Sequence, residues 1–206
     1  QILIVKNGAG KGRDVLSFAK RDIESIVLPQ NIIRIAPYAF CSCVKLSKVE
    51  FANQMELQEI GDYAFFSCSV LNSFPLLPTT VYRIGDFAFG SCCALKSFEF
   101  PETSSALEII GHDAFHSCAE LIQISPIPAS VKRIGFNCFG TDMKLKSIQI
   151  NSVEIYICKN AFIHCMLLKE AKFPNAKKIT LEQDVFQDVA ASFLLGTPSD
   201  AEIIKL

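Results

Sequence analysis

Three groups of residues in this chain are of types that could do chemistry. The first is Asn7-Gly8-Ala9-Gly10-Lys11-Gly12-Arg13. A phosphate loop of the G-x-x-x-x-G-K-[ST] kind cradles phosphates with backbone N–H groups and sets a hydroxyl on magnesium. Here Val5 stands where the first glycine is needed, and Gly12 where the hydroxyl is needed. A dinucleotide fingerprint would use Gly8 and Gly10, but Arg13 fills its third small position. The stretch is therefore read as a glycine-rich loop. The second group is His112 and His116, in the run HDAFH. On a helix, a spacing of four could bring two imidazoles to one metal ion. No third ligand accompanies them, since His164 lies two repeats further on in a column otherwise made of Ser and Thr. The third group is the nine cysteines, which could pair, bind metal or act as nucleophiles.

The elements that position these residues follow from an internal repeat. Phe recurs at Phe40, Phe65, Phe89, Phe115, Phe139 and Phe162, with gaps of 25, 24, 26, 24 and 23, and weaker copies lie at Phe18 and Phe186. Five residues before these anchors stand Ile35, Ile60, Ile84, Ile110, Ile134, Ile157 and Leu181. Gly61, Gly85, Gly111 and Gly135 come next, replaced by Ala36, Cys158 and Glu182 in the other copies. Directly before the anchors are Ala39, Ala64, Ala88, Ala114 and Ala161, with Cys138 once. Three residues after them come Cys43, Cys68, Cys92, Cys118 and Cys165, with Asp142 breaking the column. Leu46, Leu71, Leu95, Leu121, Leu145 and Leu168 follow at six. Such a register belongs to a solenoid, in which each copy buries its apolar edge against its neighbours.

Each copy has a local reading. Leu95-Lys96-Ser97-Phe98-Glu99-Phe100 ends in the alternation of a strand, and a proline such as Pro101 stops it for want of an N–H. A short aliphatic run such as Val81-Tyr82-Arg83-Ile84 precedes the glycine bend. Asp62 and Asp86 then stand where an N-cap would, ahead of a short helical or turn segment carrying Ala-Phe-x-x-Cys. The expectation is an α/β repeat solenoid: a parallel sheet of the Leu-column strands on one face, and short helical or irregular segments on the other. One domain over residues 1–206 would hold about eight units, with 1–22 a degenerate N-terminal unit and 190–206 a C-terminal tail or cap.

Composition excludes several functions. The chain has 206 residues, half of them hydrophobic, which is enough for a sizeable core. Twenty basic and 21 acidic residues leave a net charge of −1, with no electrostatic footprint for nucleic acid or an anionic membrane. No apolar run reaches the roughly 18 residues of a membrane helix. The opening QILIV has no basic residue before it and no small-residue cleavage site after it, so it is not read as a signal peptide.

The columns resemble the BspA-like, or Treponema-type, leucine-rich repeats, whose pattern runs L-x-x-I-x-I-P-x-x-[VL]-x-x-I-G-x-x-A-F-x-x-C. The likeness covers about residues 23–189 in six clear copies. It departs at Arg21 and Val189, which stand in the Cys column of the end copies. The resemblance implies a right-handed leucine-rich-repeat solenoid, and surface proteins of mucosal bacteria and parasitic protozoa linked to adhesion to host cells and matrix proteins.

Against this frame the chemical candidates read as core. In-register stacking spaces neighbouring Cα atoms about 5 Å apart but sets their Cβ vectors side by side, which disfavours disulfides. The column cysteines are expected as buried, reduced thiols beside the Phe ladder. No cofactor and no catalytic residue is assigned, and the chain is read as non-enzymatic. The expected ligand surface is the strand face, where residues change between copies: Lys48, Glu50, Asn72, Lys96, Glu99, Gln123, Lys146, Gln149, Lys169 and Lys172. Its partner would be a protein, a host-surface or extracellular-matrix protein if the resemblance carries over, with no nucleic acid and no membrane insertion. Two functions stay open: a module for adhesion at the cell surface or outside the cell, and an intracellular interaction scaffold. The absence of an N-x-[ST] sequon in this sequence leans to the second, and the resemblance to the first.

Overall fold

The computed structural model describes residues 2–5, 14–102, 105–142, 144–189 and 197–206. The stretch Asn7–Arg13 lies outside them. The chain winds as a β-solenoid of about seven turns. Ten short strands make one sheet, bonded in the order Ile2–Val5, Asp14–Ala19, Ile32–Ile35, Glu59–Ile60, Arg83–Ile84, Ile109–Ile110, Arg133–Ile134, Glu154–Ile157, Lys178–Leu181 and Glu202–Lys205. All neighbours run parallel except the first pair, where Ile2–Val5 folds back antiparallel on Asp14–Ala19.

The main sheet therefore follows the Ile column, which corrects the expectation that it would follow the Leu column. Leu-column strands form three separate pairs: Ser25–Leu28 with Lys48–Phe51, Ser97–Phe98 with Gln123–Ile124, and Ser147–Gln149 with Glu170–Lys172. Prolines explain the breaks. Pro75 sits in the strand segment of the coil between Lys48–Phe51 and Ser97–Phe98, and Pro126 closely follows Gln123–Ile124; neither has an N–H for the ladder. Isolated bridges, Ser73 to Ser97 and Ile127 to Ile150, are what remains there.

The expected helical arm is also corrected, because no helix occurs among the described residues. The arm is a run of tight turns. Ala39, Cys41 and Cys43 donate their N–H to Ala36, Tyr38 and Phe40 carbonyls at 3.2, 3.1 and 3.0 Å. The alternate residues Tyr38, Phe40 and Ser42 donate instead to Asp62, Ala64 and Phe66 of the next coil, at 2.9, 2.7 and 2.7 Å. A helix would spend those N–H groups within itself; here every second one stitches coil to coil. The geometry requires positive φ two residues before and after each anchor, as at Tyr63 (57°) and Ser67 (57°). Bulky residues avoid that region, so the stitched ladder must offset their strain.

The core lies between the sheets and the arm. The seven rings from Phe40 to Phe186 stack with centroids 4.8–5.3 Å apart and planes within 8°. Phe74 and Phe98 meet this stack edge-on, at 4.8 Å from Phe89 and 4.8 Å from Phe115. The glycine column marks the closest approach of coils. A Cβ on Gly111 would lie 2.5 Å from Asp86 Oδ1 and 2.6 Å from the Gly85 carbonyl carbon, and the backbone atom cannot yield.

Candidate functional site

The residues expected to bind share one face. Lys48, Glu50, Asn72, Lys96, Glu99, Gln123, Lys146 and Lys169 are exposed, and Gln149 and Lys172 half-buried. The backbone sets their spacing. Lys96 donates its N–H to Asn72 at 3.0 Å, Ile122 to Lys96 at 2.9 Å, and Lys169 to Lys146 at 2.9 Å. Side chains on successive coils are thus held about 4.8 Å apart. Some of the charge is spent internally: Lys48 pairs with Glu50 at 2.8 Å, Lys172 with Glu170 at 3.0 Å, and Gln149 donates to Asn151 at 2.8 Å. Lys96, Glu99 and Lys146 make no ion pair among the described residues. Where Pro75 interrupts the strands, a groove of about 660 Å³ opens, lined by Leu76, Thr79, Ser97, Glu99, Glu102 and Gln123. At its wall the Phe100 N–H turns to the Ser125 hydroxyl at 2.7 Å.

The ten-stranded face differs in its charge. Arg34 and Arg83 share Glu59 at 2.8 and 3.1 Å, and Arg83 also reaches Asp62 at 2.6 Å. Arg133 donates Nε–H to the buried Cys158 thiol at 3.4 Å. Tyr156 donates to Glu182 at 2.5 Å, and the Lys159 N–H to the same carboxylate at 2.7 Å, which together hold the Glu182 carboxyl below its usual range.

The chemically suggestive residues have structural partners. His112 Nδ1 accepts the Phe136 N–H at 2.8 Å, and His116 Nδ1 lies 3.1 Å from the Asn137 amide. His164 faces Asp188 at 3.0 Å. No metal-binding group of His, Cys, Asp or Glu occurs among the described residues. Asp62 and Asp86 cap no helix. They accept the backbone N–H of Asp86 and His112 in the next coil, at 2.8 and 2.9 Å, so the expected N-cap became a link between coils. The column cysteines are free and buried; Cys93 is exposed and Cys41 half-buried. Cys68, Cys92 and Cys118 donate to the carbonyls of Phe40, Phe65 and Phe89 in the preceding coil at 3.2–3.3 Å. Burial above all lifts the Cys92 thiol to about 12, which removes it as a nucleophile near neutral pH. Sequence reasoning missed the buried Asp113, held by Asn137 at 2.5 Å. Its signal was an acid replacing the aromatics Tyr38, Tyr63 and Phe87 of the same column.

The family model for the BspA type leucine rich repeat region matches residues 15–124 and 58–192, in six copies. The chain belongs to the BspA-type leucine-rich repeat family. Among solved structures, this BspA-type chain is similar to a leucine-rich repeat protein from Eubacterium ventriosum, with TM-score 0.75 and 19% identity over 90% of the chain and 48% of that protein. It is also similar to the leucine-rich repeat protein of T. pallidum, with TM-score 0.50 and 20% identity over 88% and 82% of the two chains. A curated Mycoplasma mobile protein, named probable endonuclease 4, is 39% identical over 61 residues. That match covers 30% of this chain and 22% of that protein, so it carries no activity across. The BspA-type chain spans about half the length of the Eubacterium protein and about a fifth of the Mycoplasma one. Membership makes the chain a repeat module of a kind used for protein interaction, with no helix among the described residues long and apolar enough to cross a membrane.

Proposed function

We propose that the chain binds a protein through the face bearing Lys96, Glu99, Gln123 and Lys146, without chemistry on the ligand. The carrying observation is the contrast between the faces. On the ten-stranded sheet arginine and carboxylate neutralise one another, whereas Lys96, Glu99 and Lys146 make no ion pair among the described residues, and Glu99 lines a groove. Exposed unpaired charge at fixed spacing steers and selects a partner of complementary pattern. Asn72, Gln123, Gln149, Lys169 and Lys172 extend this surface, and Lys48 with Glu50 forms its N-terminal rim. The finer reading is adhesion at the cell surface or outside the cell, to a host or matrix protein. The free exposed Cys93 favours a second reading, an interaction scaffold inside the cell, where thiols stay reduced.

The test compares charge reversal at Lys96, Glu99 and Lys146 with reversal of the exposed pair Lys132 and Glu108, 2.7 Å apart on the other face. Binding to immobilised matrix and host-surface proteins should fall about tenfold or more with the first set, at about 1.4 kcal/mol per decade. It should survive the second set. Loss with the second set alone would move the site to the ten-stranded face.

A further inference from the structure

Asp142 stands where five other coils carry a cysteine. In those coils the thiol donates to a carbonyl of the preceding coil, as Cys165 does to Phe139 at 3.0 Å. Asp142 is as buried as those cysteines, at 0% exposure. One carboxyl oxygen, Oδ1, accepts the Cys118 N–H at 2.9 Å, while Oδ2 has no hydrogen-bond partner. The ionisable groups facing it are thiols: Cys118 from the preceding coil, Cys138 from its own, and Cys165 from the following one. Asp113 lies beyond, acting on Cys138, and no cation among the described residues contributes at the site. A carboxylate there would be a buried charge with one N–H bond and no counter-ion, which a fold avoids by keeping the proton.

We propose that Asp142 is held as a neutral carboxylic acid and acts as a proton-operated latch on the seam between the coils of Phe115 and Phe139. When the acid gives its proton to water, the carboxylate needs hydration, and the seam opens to supply it. The opening is local, because the coils on either side keep their own thiol and phenylalanine contacts. Burial raises the Asp142 carboxyl well above the usual range, and the Cys118 N–H lowers it only in part. The sign follows from linkage. The closed seam keeps a proton that the open chain sheds above about pH 4, so closure is complete in acid and weakens as pH rises towards the folded value. Lys96 and Lys146 lie on opposite sides of the seam. Under the binding reading above, opening would break their spacing, but the latch itself does not depend on that reading.

The test is pulsed alkylation of the full chain from about pH 5 to about pH 9, with the modified cysteines quantified by mass spectrometry. Thiol chemistry itself speeds up with pH, so the readout is the labelling of Cys118 and Cys138 relative to Cys68 and Cys92 in the same molecules. The ratio should rise by up to about tenfold per pH unit in the wild type. It should stay flat in Asp142→Asn, which keeps the shape and cannot ionise. Asp142→Cys restores the column, guards against misfolding of the amide variant, and should also be flat. A flat ratio in the wild type, or an equal rise in whichever variants fold, overturns the latch.

Discussion

The coils through Phe115 and those after it are built on one plan and kept to it unequally. In the first half Gly61, Gly85 and Gly111 let backbones touch, Cys43, Cys68, Cys92 and Cys118 bond coil to coil, and Phe74 and Phe98 brace the phenylalanine stack edge-on. In the second half Gly135 gives way to Cys158 and Glu182, a cysteine to Asp142, and the bracing rings to Ile148 and Ala171. The orphaned buried atoms found among the described residues, Ser130 Oγ, Asp142 Oδ2 and Asn160 Oδ1, all fall there. A solenoid satisfies its polar groups by repetition, so each departure from a column leaves a neighbour's partner missing.

The largest expected effect breaks the comparison at its centre. Phe89→Ala should destabilise the array by about 3–5 kcal/mol, since the ring stacks on two neighbours and meets two more edge-on. Phe162→Ala removes a ring contacting only Phe139 and Phe186 among the described rings, and should cost less. Equal losses in urea unfolding would show that the edge-on rings contribute nothing. Next in size is the glycine column. Gly111→Ala should cost about 1–3 kcal/mol through overpacking, whereas Cys158→Ala in the same column should be milder because that coil already accommodates a Cβ. A thermal melt that ranks them the other way would place the tight approach elsewhere.

Smaller again is Asp142→Cys, which replaces a carboxyl with an orphaned oxygen by the thiol the column uses. A gain of about 1 kcal/mol is expected at neutral pH, where the unfolded chain sheds the carboxyl proton that the fold retains, shrinking in acid where the unfolded chain keeps that proton too. A gain that grows in acid would reverse the assigned sign. The smallest effect is Lys132→Ala, which severs an exposed pair with Glu108 and should change stability by less than about 1 kcal/mol. A larger loss would mean that the ten-stranded face is held by its surface ion pairs.

The repeat, the buried Phe, Ile, Leu and Cys columns and the glycine bends were legible in the sequence, because each position repeats and burial acts on every copy alike. The copy-to-copy variation at Lys96, Glu99, Gln123 and Lys146 also marked a candidate surface before any coordinates. Which strand would carry the continuous sheet was not legible. Val81-Tyr82-Arg83-Ile84 and Leu95-Lys96-Ser97-Phe98 both look like strands, and a ladder depends on whether the adjacent coils can pair too. Prolines in two coils decided that against the Leu column. The arm misled for a similar reason. Asp-x-Ala-Phe carries the local signal of a capped helix, yet the next coil lies close enough to take every second N–H, and those bonds favour turns. Sequence alone determined what is buried, since burial is a property of each residue's own chemistry. Tertiary structure decided where the hydrogen bonds go, since a donor in one coil finds its acceptor about 24 residues away in the next, as the Asp86 N–H does at Asp62.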